Sequence, residues 1–314
     1  MKNQRRSIIS LLFRSGVKPE EFPNNEYLVP SPFIVGVGRS GTTLLRLMLD
    51  AHPDLAIPPE THFIPGIAAA NKRPSNPHRT FLETLKADQM WGDHGIDDLL
   101  LEQRIYEIKP FDLSAALRTF YRLYAERFRK PRWGDKTPRY LLHMKLIASI
   151  LPEARFIHII RDGRDVALSL QGVWFGPKTI EEAAHWWKSW VQQAQGHASE
   201  LPHYLEIRYE DLLLHTTSTL KTICSFIALP WNTSMLDYHL TAEERLKEKD
   251  RDVISPESKR LIPASERTAI HSFTSQPPQP SRINRWKTEM SDLDRKTFED
   301  VAGDMLQELG YDVS

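Results

Sequence analysis

Short apolar runs alternate along the chain with longer segments in which apolar residues recur every three or four positions. Three of the runs have the length and composition of buried strands: 33–37, 155–160 and 204–208. Four longer segments have helical spacing: 112–130, 181–196, 214–229 and 293–309. Because strands alternate with helices, the pattern predicts an α/β fold with three layers, in which helices flank a central and mostly parallel sheet.

Three parts of the chain depart from this alternation. Residues 1–30 are predicted to form a short amphipathic helix and a lead-in rich in proline and asparagine, and residues 133–138 a turn before a helix. Residues 241–285 combine charge and proline with few aliphatic side chains, which predicts a mobile loop region. With 314 residues, 40% of them apolar, we expect a single domain over residues 1–314.

The overall charge is balanced. Lysine plus arginine and aspartate plus glutamate both number 41, so the net charge gives no reason to expect a nucleic-acid partner, and any anion site must be local.

No run approaches the roughly 20 apolar residues that a membrane-spanning helix requires. The basic N-terminus also lacks a secretory apolar core and a cleavage site. We therefore expect a cytoplasmic protein without a transmembrane segment.

A glycine-bearing turn joins the first strand to an apolar helix. It runs from Gly36 to Gly41, and Thr42 and Thr43 open the helix. A backbone that wraps around an anion needs residues without a Cβ, and a helix N-terminus supplies unpaired N–H groups at the positive end of its dipole. The segment therefore predicts a phosphate-binding turn.

This turn differs from the G-x-x-x-x-G-K-[ST] pattern at one position. The glycine spacing fits and Thr43 takes the Ser/Thr position, but Thr42 replaces the lysine. That lysine reaches the β and γ phosphates in nucleoside triphosphate enzymes, so its loss argues against ATP or GTP hydrolysis. Arg39 and Ser40 can bind an anion instead. The expected ligand is phosphate-like and less charged than a Mg-triphosphate.

The segment that contains this turn resembles a known family. GVGRSGTTLLRLMLDAHPDLAIPPET (36–61) is similar to the 5′-phosphosulfate-binding loop of sulfotransferases that use 3′-phosphoadenosine 5′-phosphosulfate (PAPS), above all the tyrosylprotein sulfotransferases and their bacterial relatives. The resemblance implies a P-loop-type fold and PAPS as sulfuryl donor, with no metal required. It places five residues on the 5′-phosphosulfate: Arg39, Ser40, Gly41, Thr42 and Thr43.

Two later segments extend the resemblance to the nucleotide. RDGRD at the end of the second strand resembles the family's 3′-phosphate-binding segment, which implies that Arg161 and Ser169 hold the 3′-phosphate. A strand-end arginine and a serine two helical turns later can converge on one anion. Without the family, RDGRD could equally form surface ion pairs, or Asp162 could act as a Mg-binding carboxylate. IRYEDLL resembles the segment whose tyrosine approaches the adenine nucleotide, which implies Tyr209.

The candidate catalytic residues lie in two turns. The resemblance implies that Glu60, in the proline-rich loop after the first helix, is the general base and that Lys136 in DKTP stabilises charge on the transferring group. By themselves, a loop glutamate and a lysine before a helix are most often solvated side chains. His52 and His62 are alternative bases, since histidine titrates near neutral pH.

The interpretation is sulfuryl transfer from PAPS to a hydroxyl-bearing acceptor. The acceptor stays open among a small-molecule alcohol or phenol, a glycan, a lipid and a peptide tyrosine, and the sequence does not define the oligomeric state. Two alternatives remain: a P-loop kinase-like phosphotransferase that has lost its lysine, and a non-catalytic nucleotide-binding protein. Within 241–285, the possible nucleotide contacts are Lys259, Ser265 and Arg267.

Overall fold

A computed structural model describes residues 29–255 and 259–313 of the protein. The helix predicted within residues 1–30 lies outside the described residues, apart from positions 29 and 30. Within these ranges, no helix is both long and apolar enough to cross a bilayer.

The described residues contain a four-stranded parallel sheet and two small two-stranded sheets. The strands, in chain order, are β1 (Ser31–Val35), β2 (Leu55–Ala56), β3 (Arg132–Trp133), β4 (Asp135–Lys136), β5 (Ala154–Ile160), β6 (Tyr204–Arg208), β7 (Val253–Ile254) and β8 (Leu261–Ile262). The central sheet has the order β4-β1-β5-β6, whereas β2 pairs with β3 and β7 with β8. All three predicted strands are present in the central sheet.

Helices connect and cover these strands. In the described part of the chain they are α1 (Thr42–Asp50), α2 (Ile64–Ala70), α3 (Pro77–Lys86), α4 (Asp98–Tyr106), α5 (Leu113–Glu126), α6 (Met144–Ile150), α7 (Gly163–Leu170), α8 (Ile180–Ala198), α9 (Tyr209–Leu214), α10 (Thr216–Phe226), α11 (Ala242–Leu246), α12 (Ala264–Ala269), α13 (Trp286–Glu289) and α14 (Asp292–Glu308). The four predicted helices correspond to α5, α8, α10 and α14. Their starts follow local capping: Asp112 accepts a hydrogen bond from the N–H of Ala115, and Thr179 and Glu182 form a capping box.

Both faces of the central sheet are buried. In β1 and β5, Phe33 lies beside Phe156 and Ile34 beside Ile157, and the two pairs belong to separate apolar clusters. Successive side chains of a strand point to opposite faces, so each cluster lies on one side of the sheet. A parallel sheet covered on both faces is what the continuous apolar runs predicted. The prediction of a three-layer α/β fold with a central parallel sheet is confirmed.

The prediction of a turn over residues 133–138 was wrong. Asp135 and Lys136 form β4, an edge strand of the central sheet, and Arg132 and Trp133 pair with the strand β2. Both strands have only two residues, which is too short for apolar alternation to reveal them. As a consequence, Lys136 stands in the sheet itself rather than in a solvated turn.

Residues 241–285 contain short helices and the β7–β8 pair, packed against α1. Charged side chains join residues 241–285 to α1: Arg245 Nε donates to Asp50 Oδ2 at 2.7 Å, and Arg46 pairs with Glu248 at 2.8 Å. Some of the charges that predicted a mobile loop, among them Arg245 and Glu248, therefore lie in ion pairs that are largely buried. The mobility of residues 241–285 stays a prediction.

The sheet brings the predicted site residues to one edge. Gly36 follows β1, Thr137 follows β4, Arg161 follows β5 and Tyr209 follows β6. Because these strands are parallel, the residues after them lie at the same, carboxyl edge. Ligands of open α/β sheets bind at this edge, so the turns that follow these strands are the candidate binding site.

Candidate active site

The phosphate-binding turn has the geometry that its glycines predict. Gly41 precedes α1 with a φ of 99°, in the left-handed region that favours glycine. A Cβ at this position would lie 2.4 Å from the Tyr209 ring, so a larger residue does not fit. The amides that open α1 have no partner within the helix and point toward the carboxyl edge of the sheet. The turn is therefore built to receive an anion.

Two arginines from separate segments meet beside this turn. The Arg39 Nε atom donates to Ser169 Oγ at 3.2 Å, and Arg161 donates to the carbonyl oxygen of Arg39 at 3.2 Å. The Arg161 guanidinium also lies over the Tyr209 ring, 4.5 Å from its centroid. The structure thus brings together four of the residues predicted to bind the nucleotide, although they span 170 positions of the sequence.

These residues line an open cleft, whose empty space is about 670 Å³ when the solvent at its mouth is included. Gly41, Thr42 and Thr43 line it together with several residues of 270–282. That segment supplies carbonyl oxygens to both arginines: Ile270 accepts from Arg39 at 2.9 Å and Arg282 from Arg161 at 2.8 Å. The cleft is therefore bounded by the turn and by the C-terminal part of 241–285.

The charge of the cleft fits a polyanion. Burial and the nearby charges of Arg161 and Arg282 lower the pKa of Arg39 to about 10, so three guanidinium groups repel one another. Among the described residues, neither the buried Ser40 Oγ nor Arg161 Nε has a hydrogen-bond partner. Buried donors without partners are costly, and phosphate oxygens would satisfy them. The residues present therefore fit an anionic ligand that carries phosphate groups.

Arg282 was not predicted from the sequence. It lies in PSRINRW, four residues before Trp286, and no periodicity or glycine pattern marks it. Of the contacts expected within 241–285, Arg267 is instead bound to Asp93 in a buried ion pair. Lys259 and Ser265 are exposed and, like Arg267, do not line the cleft. The expectation for these three residues was wrong, because the segment meets the cleft about ten residues later.

The two predicted catalytic residues contact each other directly. Lys136 Nζ lies 2.5 Å from Glu60 Oε1 and 3.5 Å from Thr43 Oγ1, and its side chain is fully buried. Glu60 is 27% exposed, so its carboxylate borders solvent on one side. Since Thr43 also lines the cleft, the ion pair lies next to the end of the phosphate-binding turn.

Glu60 and Lys136 act on each other's pKa. Burial alone would raise the pKa of Glu60, but Lys136 and the hydrogen bond with His62 outweigh it, so the pKa lies well below its ordinary value. Burial lowers the pKa of Lys136, and the attraction of Glu60 offsets part of this effect. Glu60 is therefore a carboxylate at neutral pH, the form in which it can accept a proton.

Thr61 holds the loop that carries Glu60. Its backbone N–H donates to Thr137 Oγ1 at 2.9 Å, and its hydroxyl donates to Asp135 Oδ2 at 2.7 Å. Tyr140 lies 2.8 Å from the same hydroxyl. Four buried polar groups thus tie the proline-rich loop to β4 and the segment after it. No sequence pattern marks this network, because its members are single residues far apart in the chain.

The two alternative bases have different surroundings. His52 is buried, its Nε2 lies 2.9 Å from the carbonyl oxygen of Pro230, and its Nδ1 accepts from the N–H of Asp54. Both ring nitrogens are thus engaged in local structure, which argues against His52 as a base. His62 Nε2 lies 3.1 Å from Glu60 Oε2 and contacts the predicted base itself.

A family model described as "Sulfotransferase family" matches residues 30–233. The chain belongs to the sulfotransferase family. The matched range contains all ten predicted site residues, from Arg39 to Tyr209, while Arg282 lies beyond it. The predicted family is therefore confirmed.

Named relatives agree with the predicted branch of the family. The chain is 29% identical to Protein-tyrosine sulfotransferase 1 of Danio rerio over 67% of this chain and 56% of the relative. It is 25% identical to Protein-tyrosine sulfotransferase of Drosophila melanogaster over 90% of this chain and 52% of the relative. The chain thus spans about half the length of these two relatives. The predicted similarity to tyrosylprotein sulfotransferases is confirmed.

Solved structures support the fold of this sulfotransferase family member. The sulfotransferase domain from the Synechococcus PCC 7002 olefin synthase superposes with a TM-score of 0.57 at 19% identity, covering 93% of this chain and 98% of that one. The sulfotransferase domain from the curacin biosynthetic pathway gives a TM-score of 0.52 at 18% identity, covering 91% and 99%. At this identity, the likeness shows the fold alone.

Proposed function

We propose that the protein transfers the sulfuryl group of PAPS to a hydroxyl group of an acceptor and releases 3′-phosphoadenosine 5′-phosphate. One observation carries the proposal beyond family membership: two distant anion-binding segments converge on one cleft, where Arg39 contacts Ser169 and Arg161 contacts Arg39. A ligand with phosphate groups at both its 5′ and its 3′ end matches two such positions.

The proposed binding roles follow from the positions of the residues. The amides of residues 41–43, the Ser40 hydroxyl and the Arg39 side chain hold the 5′-phosphosulfate at the start of α1. Arg161 and Ser169 hold the 3′-phosphate, which separates PAPS from ordinary adenine nucleotides. Tyr209 lies beneath Arg161 and supports the nucleoside. No lysine follows Gly41, which agrees with a ligand that lacks a γ-phosphate and needs no bound Mg²⁺.

The proposed chemistry uses Glu60 and Lys136 in different ways. Glu60 accepts the proton of the acceptor hydroxyl as its oxygen forms a bond to sulfur. Lys136 neutralises the charge that gathers on the bridging oxygen as the bond between sulfur and that oxygen breaks. Lys136 is already 3.5 Å from Thr43 Oγ1, on the donor side, so it can serve both Glu60 and the leaving phosphate. In-line positioning within the cleft contributes further to the rate.

The acceptor is proposed as a hydroxyl-bearing molecule. The names of the relatives point to protein tyrosine as the first acceptor to test, with phenols, alcohols, glycans and lipids beside it. Because Glu60 borders solvent, the acceptor would approach it from the exposed side.

The binding proposal can be tested by thermal shift. At about 100 times its Kd, 3′-phosphoadenosine 5′-phosphate should raise Tm by roughly 5 °C without any metal, since it binds only the folded chain. ATP with Mg²⁺ should leave Tm nearly unchanged, because the turn lacks the lysine and the 3′-phosphate site stays empty. Stabilisation by ATP with Mg²⁺ and not by 3′-phosphoadenosine 5′-phosphate would instead support a phosphotransferase.

A further inference from the structure

A second lysine faces the proposed base. Lys249 lies at the end of the 3-10 segment Lys247–Lys249, directly after α11, and its side chain is only 9% exposed. Its Nζ is 4.0 Å from Glu60 Oε1, the same oxygen that Lys136 contacts. Two ammonium groups therefore share one carboxylate oxygen. Lys249 lies outside the range matched by the family model, and the proposed function assigns it no role.

The groups that face Lys249 come from several elements. Those that act on its charge are Lys136 on β4, Glu60 on the proline-rich loop, Arg46 on α1, Arg267 on α12 and His271 after α12. Glu60 alone among these is anionic. Burial and the repulsion of Lys136 lower the pKa of Lys249 to about 7, and Glu60 counteracts part of that shift. Burying an ammonium group among other cations is costly, so its position calls for a reason beyond stability.

His271 orients Lys249 toward Glu60. The Nε2 atom of His271 is 3.3 Å from Lys249 Nζ. Burial and the charge of Lys249 hold the pKa of His271 well below its ordinary value, so the ring is neutral and Nε2 can accept a hydrogen bond from the ammonium group. His271 also lines the nucleotide cleft. The lysine is thus held between the cleft wall and the proposed base.

We propose that Lys249 is a positioning residue for Glu60, whose ammonium group keeps the carboxylate ionised and in place while Lys136 serves the bridging oxygen of the donor. This inference rests on the proposed function, in which Glu60 is the base. The reason is geometric: Lys136 lies between Glu60 and Thr43 and has to divide its charge between them, whereas Lys249 Nζ lies 4.0 Å from Glu60 Oε1 and does not contact Thr43.

Removing the charge of Lys249 should shift the pKa of Glu60 upward. Lys249 carries its positive charge below its pKa of about 7, which is the range in which Glu60 gains its proton. A cation within about 4 Å lowers a carboxylate pKa by at least one unit, so removing the charge should raise the pKa of Glu60 by about one unit. In the enzyme, the acid limb of kcat should then move to higher pH by the same amount, because only ionised Glu60 accepts a proton.

The first test measures Glu60 directly and needs no turnover. Protein labelled at the glutamate side-chain carboxyl carbon is titrated by ¹³C NMR, and Glu60→Gln identifies the Glu60 signal. We expect Lys249→Met to raise the Glu60 pKa by about one unit, whereas Lys249→Arg keeps it near the wild-type value. The matched control is Lys247→Met, an exposed lysine on the same 3-10 segment, which should change nothing. An identical Glu60 titration in wild type and Lys249→Met would overturn the proposal.

The second test follows the pH profile of kcat with PAPS and a phenolic acceptor. Lys249→Met should shift the acid limb upward by about one unit with little change in KM for PAPS, and Lys249→Arg should restore it. A uniform loss of kcat at every pH would indicate a merely structural role and contradict the proposal. Absence of turnover in the wild type with every acceptor tried would contradict the proposed function, and the NMR titration would still decide the role of Lys249.

Discussion

Glu60→Gln is expected to lower kcat for sulfuryl transfer by about 10²- to 10⁴-fold, the range that a general base contributes. Glutamine keeps the size and polarity of the side chain but cannot accept the acceptor's proton. It also leaves Lys136, which is fully buried, without its anionic partner. The measurement is the initial rate of transfer from labelled PAPS to a panel containing a tyrosine peptide, a phenol, an aliphatic alcohol and a glycan.

Two controls separate the loss of a base from the loss of the fold. Glu107→Gln changes an exposed glutamate next to α4 and should retain wild-type kcat. Calorimetric binding of 3′-phosphoadenosine 5′-phosphate to Glu60→Gln should remain close to wild type, since Glu60 does not line the cleft. Full turnover in Glu60→Gln would contradict its assignment as the base. Binding without any transfer by the wild type would favour a non-catalytic nucleotide-binding protein.

Arg161→Ala is expected to reduce discrimination between nucleotides with and without a 3′-phosphate about 10- to 100-fold. In the wild type, 3′-phosphoadenosine 5′-phosphate should bind more tightly than AMP, since Arg161 and Ser169 engage the additional phosphate. Loss of hydrogen bonds to a charged group costs about 1.5–3 kcal/mol, so the variant should bind 3′-phosphoadenosine 5′-phosphate about 10- to 100-fold more weakly. Its affinity for AMP should change much less, and titration calorimetry measures both.

The matched control for this variant lies on the same strand. Arg155→Ala removes an arginine near the amino end of β5, at the edge of the sheet opposite to Arg161, and should leave both affinities unchanged. Equal weakening of AMP and 3′-phosphoadenosine 5′-phosphate in Arg161→Ala would show that the arginine supports the cleft without recognising the 3′-phosphate. That result would remove the reason for assigning the donor as PAPS.

The sequence predicts the positions of those site residues that directly follow a strand. The turn from Gly36 to Gly41 and the arginine at position 161 both follow apolar runs, so the apolar pattern alone predicts their places. A parallel sheet then forces such ends to one edge, which explains why Arg39, Arg161 and Tyr209 meet although local patterns specify each of them separately. The family resemblance added the nucleotide that these residues would bind.

Other residues reach the site only through tertiary contacts, which no local sequence pattern reveals. Lys249, His271 and Arg282 all lie in 241–285, a stretch without regular periodicity that is joined by ion pairs to α1 and to Asp93. Its charges predicted a mobile loop because the sequence does not show which of them have buried partners. The two-residue strand β4, which holds Lys136, is likewise too short to have a pattern of its own.

One doubly phosphorylated nucleotide is expected to bridge the phosphate-binding turn and the end of β5. A crystal structure of the protein with 3′-phosphoadenosine 5′-phosphate tests this directly. The predicted result places the 5′-phosphate on the amides of residues 41–43 and the 3′-phosphate within about 3 Å of the Arg161 guanidinium and Ser169 Oγ. A nucleotide whose 5′-phosphate occupies the turn while its 3′-phosphate points away from Arg161 would contradict the account.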